Sequence, residues 1–266
     1  MNICVIGMPS YEDPARGANI ARFIGARAAL KSSKVLDIGC NTGAISIGIA
    51  RKARSVTSGD MDNVNLRVFS SRKRPANLSL MKFDALSLPV KDGSFDLVVI
   101  NGVLEHVPMG KKGDPEESQM KLLRNAYGAL KKGGMLYFAI ENRFSIKYLA
   151  GSKSHNGMRF IDFLPRKIAN AYSRAVKGKE FRQYTHSMGK YRRMLASAGF
   201  SKAEFFMAVP NYQFPEEIVS IEDGRGIVQK VDMHAGKALY RAGMRMMTAA
   251  GLQKTLATNF VMLAKK

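Results

Sequence analysis

Short apolar runs alternate with longer amphipathic stretches from Lys34 to the end of the chain. The fourth and fifth runs, FDLVVI and MLYFAI, are almost wholly apolar, as strands are when helices cover both faces of a parallel sheet. The pattern predicts seven strands: Lys34–Ile38, Ser55–Gly59, Leu78–Phe83, Phe95–Ile100, Met135–Ile140, Ala203–Val209 and Phe260–Ala264. Strands that alternate with helices predict an α/β, doubly wound, Rossmann-like sheet, which binds ligands at the carboxyl ends of its strands.

One helix between these strands is well marked. Asp114 is suited to cap it, Pro115 fits its first turn, and Gly133 follows its apolar positions. No internal repeat or low-complexity linker interrupts the chain, so residues 1–266 are expected to form a single domain. Within it, we expect a basic helical insertion, or lid, over residues 151–202 and a second insertion over residues 213–256.

The composition adds a strong positive charge to this picture. Lys and Arg total 42 against 21 Asp and Glu, a net charge of +21. Such an excess attracts polyanions, and it also serves solubility alone. Two cysteines, Cys4 and Cys40, cannot build a disulfide framework, the start of the chain is a poor signal peptide, and no apolar run reaches the roughly 18 residues of a membrane span. These features predict a cytoplasmic protein.

A glycine-bounded turn follows the first strand. Gly39 allows a tight turn and Gly43 lets the next helix pack close to the strand. A dinucleotide fingerprint would need glycine at positions 41 and 44, which hold Asn41 and Ala44, and the phosphate-binding Gly-Lys-Ser/Thr sequence is missing. Asp37, just before the turn, would repel a pyrophosphate, so the turn favours a ligand with a cationic amine and no phosphate.

The turn resembles a known motif. LDIGCNTG is similar to the first motif of class I S-adenosylmethionine-dependent methyltransferases, (D/E)-x-G-x-G-x-G. Asn41 replaces the usual middle glycine, and asparagine tolerates left-handed backbone, so the loop is expected to keep its shape. The resemblance covers residues 34–142 and the closing pair of strands. It implies a mostly parallel seven-stranded sheet with an antiparallel last strand, S-adenosyl-L-methionine as cofactor and S-adenosyl-L-homocysteine as product.

The resemblance also implies which residues bind the cofactor. Asp60 would accept the ribose hydroxyls, Asp84 would bind the adenine amino group beside the backbone of Ala85, and Asn101 and Gly102 would flank the cofactor. The full expected set is Asp37, Gly39, Cys40, Asn41, Gly43, Asp60, Met61, Asp84, Ala85, Asn101 and Gly102. No metal ion is expected.

The acceptor is less well defined by the sequence. The segment after the fourth strand reads NGVLEHVP, not the Asn/Asp-Pro-Pro-aromatic sequence of enzymes that methylate nucleobase amino groups. No cysteine lies near the fourth or fifth strand for covalent attack on a pyrimidine. An alcohol or phenol acceptor needs a general base. The candidate catalytic residues are His155, His106 and Glu105, with His186 ranked after them.

A narrower resemblance begins at Glu141. The segments IENRFSIKYLAGSKSHNG and AGFSKAEFFMAVPNYQFP are similar to bacterial methyltransferases associated with surface-glycan biosynthesis. The chain departs from their pattern at Ser145, Ser154 and Asn211. The positions in register are Glu141, Asn142, Arg143, Phe144, Lys147, Tyr148, His155, Gly157, Pro210, Tyr212 and Pro215. This resemblance implies methylation of a sugar hydroxyl on a glycan or glycolipid precursor.

Charge patterns extend the list of expected partners. Residues 159–202 contain eleven basic and two acidic residues, which favours an anionic acceptor. Near the C-terminus Leu239, Met246 and Ala250 lie opposite a basic stripe of Lys237, Arg241 and Arg245. Such a helix more often packs on its own domain with its charges in solvent, and the same pattern also fits contact with the inner face of a membrane. Three other functions stay open: a small-molecule O-methyltransferase acting on a quinone or polyketide, an RNA methyltransferase, and a non-catalytic cofactor-binding protein. The sequence does not indicate the oligomeric state.

Overall fold

The structure, a computed structural model, describes residues 12–234 and 238–266. Cys4 and Lys237 lie outside these residues. Eight strands form one sheet: β1 (Lys34–Ile38), β2 (Ser55–Asp60), β3 (Leu78–Lys82), β4 (Phe95–Asn101), β5 (Leu130–Glu141), β6 (Lys202–Pro210), β7 (Pro215–Ser220) and β8 (Asn259–Lys265). Ten α-helices accompany them in the described chain: α1 (Ala15–Gly25), α2 (Ala44–Ala50), α3 (Asn63–Ser71), α4 (Pro115–Ala129), α5 (Ile146–Leu149), α6 (Arg166–Lys177), α7 (Met188–Ser197), α8 (Gly224–His234), α9 (Ala238–Ala249) and α10 (Gln253–Leu256). Two short 3-10 helices lie at Leu30–Ser32 and Ile161–Phe163.

The strand order is β3-β2-β1-β4-β5-β8-β6-β7. The first five strands pair in parallel, whereas β8 runs antiparallel between β5 and β6. The predicted doubly wound α/β fold with an antiparallel last strand is therefore confirmed. The predicted count of seven strands is wrong, because β7 pairs antiparallel with β6 at the edge of the sheet. Its sequence, PEEIVS, is polar and only half buried, so it lacks the apolar pattern of the central strands.

Helices cover both faces of the sheet and bury alternate residues of its central strands. On β5, Leu136 and Phe138 pack in the core beneath α4, α7, α8 and α9. Tyr137 and Ala139 point the other way, into the core beneath α1, α2 and α3. This two-sided burial explains why the fourth and fifth strands are apolar at nearly every position.

The predicted helices lie close to their expected bounds. Asp114 caps α4 by accepting a hydrogen bond from the backbone N–H of Glu116, with Pro115 in the first turn. The helix ends at Ala129, before Gly133, because β5 already begins at Leu130. The basic insertion contains the helices α6 and α7, and the side chain of Ser187 caps α7. In the described ranges 12–234 and 238–266, no helix is long and apolar enough to cross a bilayer.

Two glycines bring α1 against α2, and this contact places α1 beside the carboxyl ends of the strands. A Cβ atom on Gly17 would lie 2.2 Å from the carbonyl oxygen of Ile45. A Cβ atom on Gly48 would lie 2.4 Å from the backbone of Gly17. Because these neighbours are backbone atoms, no rotamer change can make room for a side chain. The helix α1 therefore depends on glycine at both positions to pack as it does.

We expect Gly48→Ala to lower the free energy of unfolding by about 1–3 kcal/mol, as overpacking in a core does. Urea unfolding followed by circular dichroism measures the change. Gly25→Ala, at the end of α1, is the matched control, because a Cβ atom there meets no atom within 4 Å. Equal stability of Gly48→Ala and the unsubstituted protein would contradict the close contact between α1 and α2.

Candidate active site

A cavity of about 820 Å³ opens at the carboxyl ends of the strands. Loops after β1, β2, β3 and β4 form one side of it, and Arg16 of α1, His155, Lys179 and Tyr212 contribute to the remainder. Ten of the eleven residues predicted to bind the cofactor line this cavity: Asp37, Gly39, Cys40, Asn41, Asp60, Met61, Asp84, Ala85, Asn101 and Gly102. The sequence therefore predicted where the cavity lies, and most of the residues predicted to bind the cofactor line it.

Gly43 is the exception among the eleven. Its φ is +84°, and a Cβ atom there would lie 2.2 Å from the ring of Phe69 in α3. Gly43 therefore leaves room for the ring of Phe69, a contact that the sequence did not predict, and it does not line the cavity. The loop before it has positive φ at Gly39 and at Asn41, where φ is +50°. The prediction that Asn41 preserves the shape of the loop is confirmed, and its side-chain oxygen accepts a hydrogen bond from the backbone N–H of Thr42.

Asp37 is a buried carboxyl group in the cavity wall. It is 2% exposed, and Ser46 Oγ donates a hydrogen bond to its Oδ2 at 2.5 Å. Burial raises the pKa of Asp37 to about 6, the Ser46 hydroxyl opposes that rise, and the charge of Asp60 adds to it. A carboxyl group in this state gains stability from any cation that enters the cavity beside it.

Asp60 is held in place by the glycine loop and by the start of α3. The backbone N–H groups of Asn41 and Asp62 donate to its two carboxylate oxygens, each at 2.9 Å. Burial raises the pKa of Asp60 above its usual value, although these hydrogen bonds oppose the rise. Two N–H donors fix the orientation of the carboxylate, so Asp60 is already oriented to accept hydrogen bonds from a ligand in the cavity.

Asp84 forms an ion pair across the cavity mouth with Lys111, which lies in the long loop after β4. The backbone N–H of Leu86 also donates to its carboxylate at 2.9 Å. Burial alone would raise the pKa of Asp84, but Lys111 outweighs this and the pKa lies below its usual value. The sequence-based assignment missed Lys111, because nothing near it in the chain marks its pairing with Asp84.

The far end of the cavity contains two histidines whose rings meet edge to face with centroids 5.3 Å apart. His155 Nε2 lies 2.9 Å from Glu141 Oε2. Burial lowers the pKa of His155, but the Glu141 carboxylate outweighs this effect and raises the pKa to about 9. At neutral pH His155 is therefore an imidazolium with no free lone pair, so its predicted role as general base does not fit this structure.

His106 is in the opposite charge state. Burial lowers the pKa of His106 below its usual 6.5, which leaves the imidazole neutral at pH 7. Its Nδ1 lies 3.3 Å from the side-chain amide of Gln183, and its Nε2 lies 3.8 Å from Glu105 Oε1. His106 lines the cavity and its side chain is 30% exposed, so it can contact a bound molecule.

Glu105 and His186 do not line the cavity. Glu105 is fully buried behind the two histidines, and the hydroxyl of Tyr212 donates to it at 3.4 Å. It can therefore orient a histidine or stabilise its charge, but it is not placed to contact an acceptor directly. His186 Nε2 lies 2.7 Å from Gln119 Oε1, and burial lowers the pKa of His186 to about 3. His186 therefore has a structural role, and it is not a candidate for the general base because it does not reach the cavity.

The segment that carries the glycan-related pattern holds the lid onto the sheet. Glu141 contacts His155 together with Lys147 and the hydroxyl of Tyr148. The other polar residues of the segment bind backbone: Asn142 donates to Thr255 O and Ala257 O, and Arg143 donates to Asp162 O and Leu164 O. These contacts give the residues of the glycan-related pattern a structural role, which is to hold the lid in place. They carry no information about the chemistry of the acceptor.

The geometry fits S-adenosylmethionine. Asp37 lacks a partner strong enough to hold its pKa low, and a cationic amine would supply one. Among the described residues, the side-chain oxygen of Asn101 is buried in the cavity region without a hydrogen-bond partner. Buried polar atoms of this kind are uncommon unless a ligand satisfies them. In the same described residues, no group of three or more His, Cys, Asp or Glu side chains is arranged to hold a metal ion.

Comparison with known proteins agrees with the fold and the cavity. Residues 36–138 match a family described as a methyltransferase domain. Together with the fold, these matches support a class I S-adenosylmethionine-dependent methyltransferase. Among curated proteins, it is similar to the ubiquinone biosynthesis O-methyltransferase of Coxiella burnetii, with 27% identity over 170 residues that cover 63% of this chain and 68% of that protein. The enzyme of the same name from Chromobacterium violaceum is 27% identical over 186 residues, 67% of this chain and 73% of that protein.

Solved structures support the same fold. The S-adenosylmethionine-dependent methyltransferase of Mesorhizobium loti superposes with a TM-score of 0.56 at 17% identity and covers 94% of this chain and 98% of that one. A methyltransferase of Methanosarcina mazei gives a TM-score of 0.54 at 17% identity, over 92% of this chain and 96% of that one. At this identity the likeness concerns architecture alone.

Proposed function

We propose that the enzyme transfers a methyl group to the phenolic hydroxyl of a small aromatic acceptor, with His106 as general base. The observation that carries this proposal is the neutral imidazole of His106 in the wall of the cavity. Proton removal by a positioned base contributes about 10²–10⁴-fold to such a reaction. Amino-group acceptors that bind as free amines do not need this base to become nucleophilic.

The carboxylates at the strand ends would hold the cofactor. Asp37 would pair with its ammonium group, Asp60 would accept its ribose hydroxyls, and Asp84 with Ala85 would contact its adenine. Asn101 and Gly102 would lie along it. When bound, the cofactor supplies a methyl group on a positively charged sulfur, so the chain mainly needs to align the acceptor oxygen and exclude water.

The two histidines would then have different roles. His106 takes the proton of the acceptor hydroxyl and becomes an imidazolium. Glu105, 3.8 Å from His106 Nε2, stabilises that charge and acts as a positioning residue. His155 stays protonated because the Glu141 carboxylate stabilises its imidazolium, so it offers a fixed N–H donor at the acceptor end of the cavity. Lys179 lines the same cavity, and its positive charge favours an acceptor that carries a carboxylate.

The acid strength of the acceptor separates a phenol from a sugar. A general base works best when its pKa is not far below that of the group it deprotonates. Burial makes His106 a weaker base than free histidine. A phenolic hydroxyl, with a pKa near 10, matches such a base better than the far less acidic hydroxyl of a sugar. The similarity to proteins named ubiquinone biosynthesis O-methyltransferases supports the same choice.

The proposal is tested by the formation of S-adenosyl-L-homocysteine with a panel of acceptors. The panel contains 3,4-dihydroxybenzoate, its neutral analogue 3,4-dihydroxybenzamide, a reduced quinone, nucleotide sugars and RNA. We expect turnover with the catechols, and a lower KM for the benzoate than for the benzamide. Turnover confined to the nucleotide sugars would favour the glycan acceptor suggested by the sequence, and turnover confined to RNA would favour an RNA methyltransferase. Either result would overturn the phenolic assignment.

A further inference from the structure

The helix α6 exposes a continuous apolar stripe to solvent. Ile168, Ala171, Tyr172, Ala175 and Val176 follow the i, i+3, i+4, i+7, i+8 spacing of one helix face, and all five are exposed. Ile168 is 54% exposed and Val176 is 57% exposed. A helix of a globular protein normally turns such a stripe toward its own core.

The fully buried side chains of α6 are small, and its other contacts with the lid are polar: Arg166 donates to Thr185 O, and Arg174 pairs with Glu180. Ala169 and Ser173 are the buried residues of this helix. Ala169 joins a small cluster with Met158, Ile161 and Phe181. The apolar stripe thus lies next to the buried face of α6, and no other described part of the lid covers it. Large apolar side chains left in contiguous exposure mark interaction surfaces.

The charge around this stripe selects the partner. Residues 159–182 contain seven basic and two acidic residues. Asp162 is 2% exposed and Glu180 pairs with Arg174 and Arg182, so neither acid is available to a partner. The exposed basic residues outside these pairs are Arg159, Lys167, Lys177 and Lys179. Helical geometry places Lys167 beside the stripe. A second copy of this chain would bring the same positive charge against it, which opposes self-association through this face.

The helix α9 offers the natural comparison, because Leu239 is 83% exposed and Met246 is 74% exposed there. The sequence pattern of this helix fits either packing on its own domain or contact with a membrane. Its surroundings differ in charge: residues 213–256 contain six basic and five acidic residues. Arg245 pairs with Asp232. A nearly balanced surface gains little from an anionic membrane, so the charge distribution favours α6 over α9.

We propose that α6 docks on the surface of an anionic phospholipid bilayer, with its apolar stripe in the boundary between headgroups and acyl chains. Amphipathic helices with basic flanks bind membranes by this combination of apolar burial and electrostatic attraction. Lys179, just after the end of α6, lines the cavity. Docking through α6 therefore brings the acceptor end of the cavity close to the lipid surface. The proposal is independent of the acceptor assigned above.

The chain contains no tryptophan, which allows a direct test. Tyr172→Trp introduces a single fluorescent reporter in the stripe, and Leu239→Trp introduces the matched reporter on α9. With vesicles of equal parts phosphatidylcholine and phosphatidylglycerol, we expect a blue shift and protection from acrylamide quenching for Trp at position 172 and no change at position 239. Pure phosphatidylcholine vesicles should produce a much weaker shift. A shift at position 239 alone, or none at either position, would overturn the proposal.

Vesicle sedimentation gives a second measurement. The double variant Ile168→Asp with Val176→Asp should bind the anionic vesicles at least about tenfold more weakly, because it removes two apolar side chains from the membrane boundary and adds two negative charges. Leu239→Asp with Met246→Asp is the matched control and should bind as the unsubstituted protein does. Unchanged calorimetric affinity for S-adenosyl-L-homocysteine shows that both variants are folded. If the α6 variant instead changed only the oligomeric state in gel filtration, the stripe would be a contact between copies of the chain.

Discussion

Replacing His106 with asparagine is expected to lower kcat by about 10²–10⁴-fold, because the variant lacks the nitrogen that accepts the hydroxyl proton. Asparagine keeps a polar atom near Gln183, which contacts His106 Nδ1 at 3.3 Å, so the loop should stay in place. The affinity for S-adenosyl-L-homocysteine should not change, and calorimetry provides that control. Single-turnover methyl transfer with the best acceptor of the panel measures the effect on chemistry.

The pH dependence distinguishes His106 from His155. A base must be deprotonated, so activity that depends on His106 should rise below pH 6.5 and reach a plateau at neutral pH. Activity that depended on His155 would keep rising to about pH 9. His155→Asn should raise the KM for a carboxylate-bearing acceptor more than it lowers kcat. A rate that climbs to pH 9, and a loss of kcat in His155→Asn as large as in His106→Asn, would return the role of base to His155.

The second large effect is expected at Asp37. Asp37→Asn should weaken the binding of S-adenosyl-L-homocysteine by about 2 kcal/mol or more, roughly 30-fold, because it leaves a buried ammonium group without its counter-charge. This ligand has the ammonium group but no sulfonium, so a loss of its affinity identifies the amine as the group that Asp37 contacts. Asp96→Asn is the matched control, since Asp96 pairs with Lys131 at the other end of the sheet. Titration calorimetry measures both.

Asp37 also predicts how binding and stability change with pH. Its pKa in the folded protein is about 6, above the ordinary value of 3.8. Its contribution to the stability of the cofactor-free enzyme is therefore fully present below pH 3.8 and is lost as pH rises through 6. Cofactor affinity should show the opposite trend and fall as pH drops through 6, when Asp37 becomes neutral. Asp37→Asn should remove both dependences, and their persistence in the variant would show that another group causes them.

The cofactor end of the cavity could be predicted from the sequence because its signals are local. A turn that needs left-handed backbone at Gly39 and Asn41 can be identified within five residues. The carboxyl ends of parallel strands meet at one edge, so Asp37, Asp60 and Asp84 could be placed together before their contacts were known. The same reasoning identified His106, which lies in the loop after β4.

The acceptor end could be predicted only in part. His155 was identified, but its charge depends on burial and on the approach of Glu141, which is a tertiary contact. The ion pair between Asp84 and Lys111 arises in the same way. The strand β7 was missed for a different reason: an edge strand can be polar, so its sequence does not need the alternation that marks strands in the core.

The bridge between Asp84 and Lys111 has a consequence for the catalytic cycle. A nucleoside cofactor that hydrogen-bonds to the Asp84 carboxylate must compete with the amino group of Lys111. Cofactor binding therefore exchanges one partner of Asp84 for another. Lys111 can form the ion pair with Asp84 again when the product nucleoside dissociates. Added salt weakens the internal bridge and should therefore speed loading more than it speeds methyl transfer.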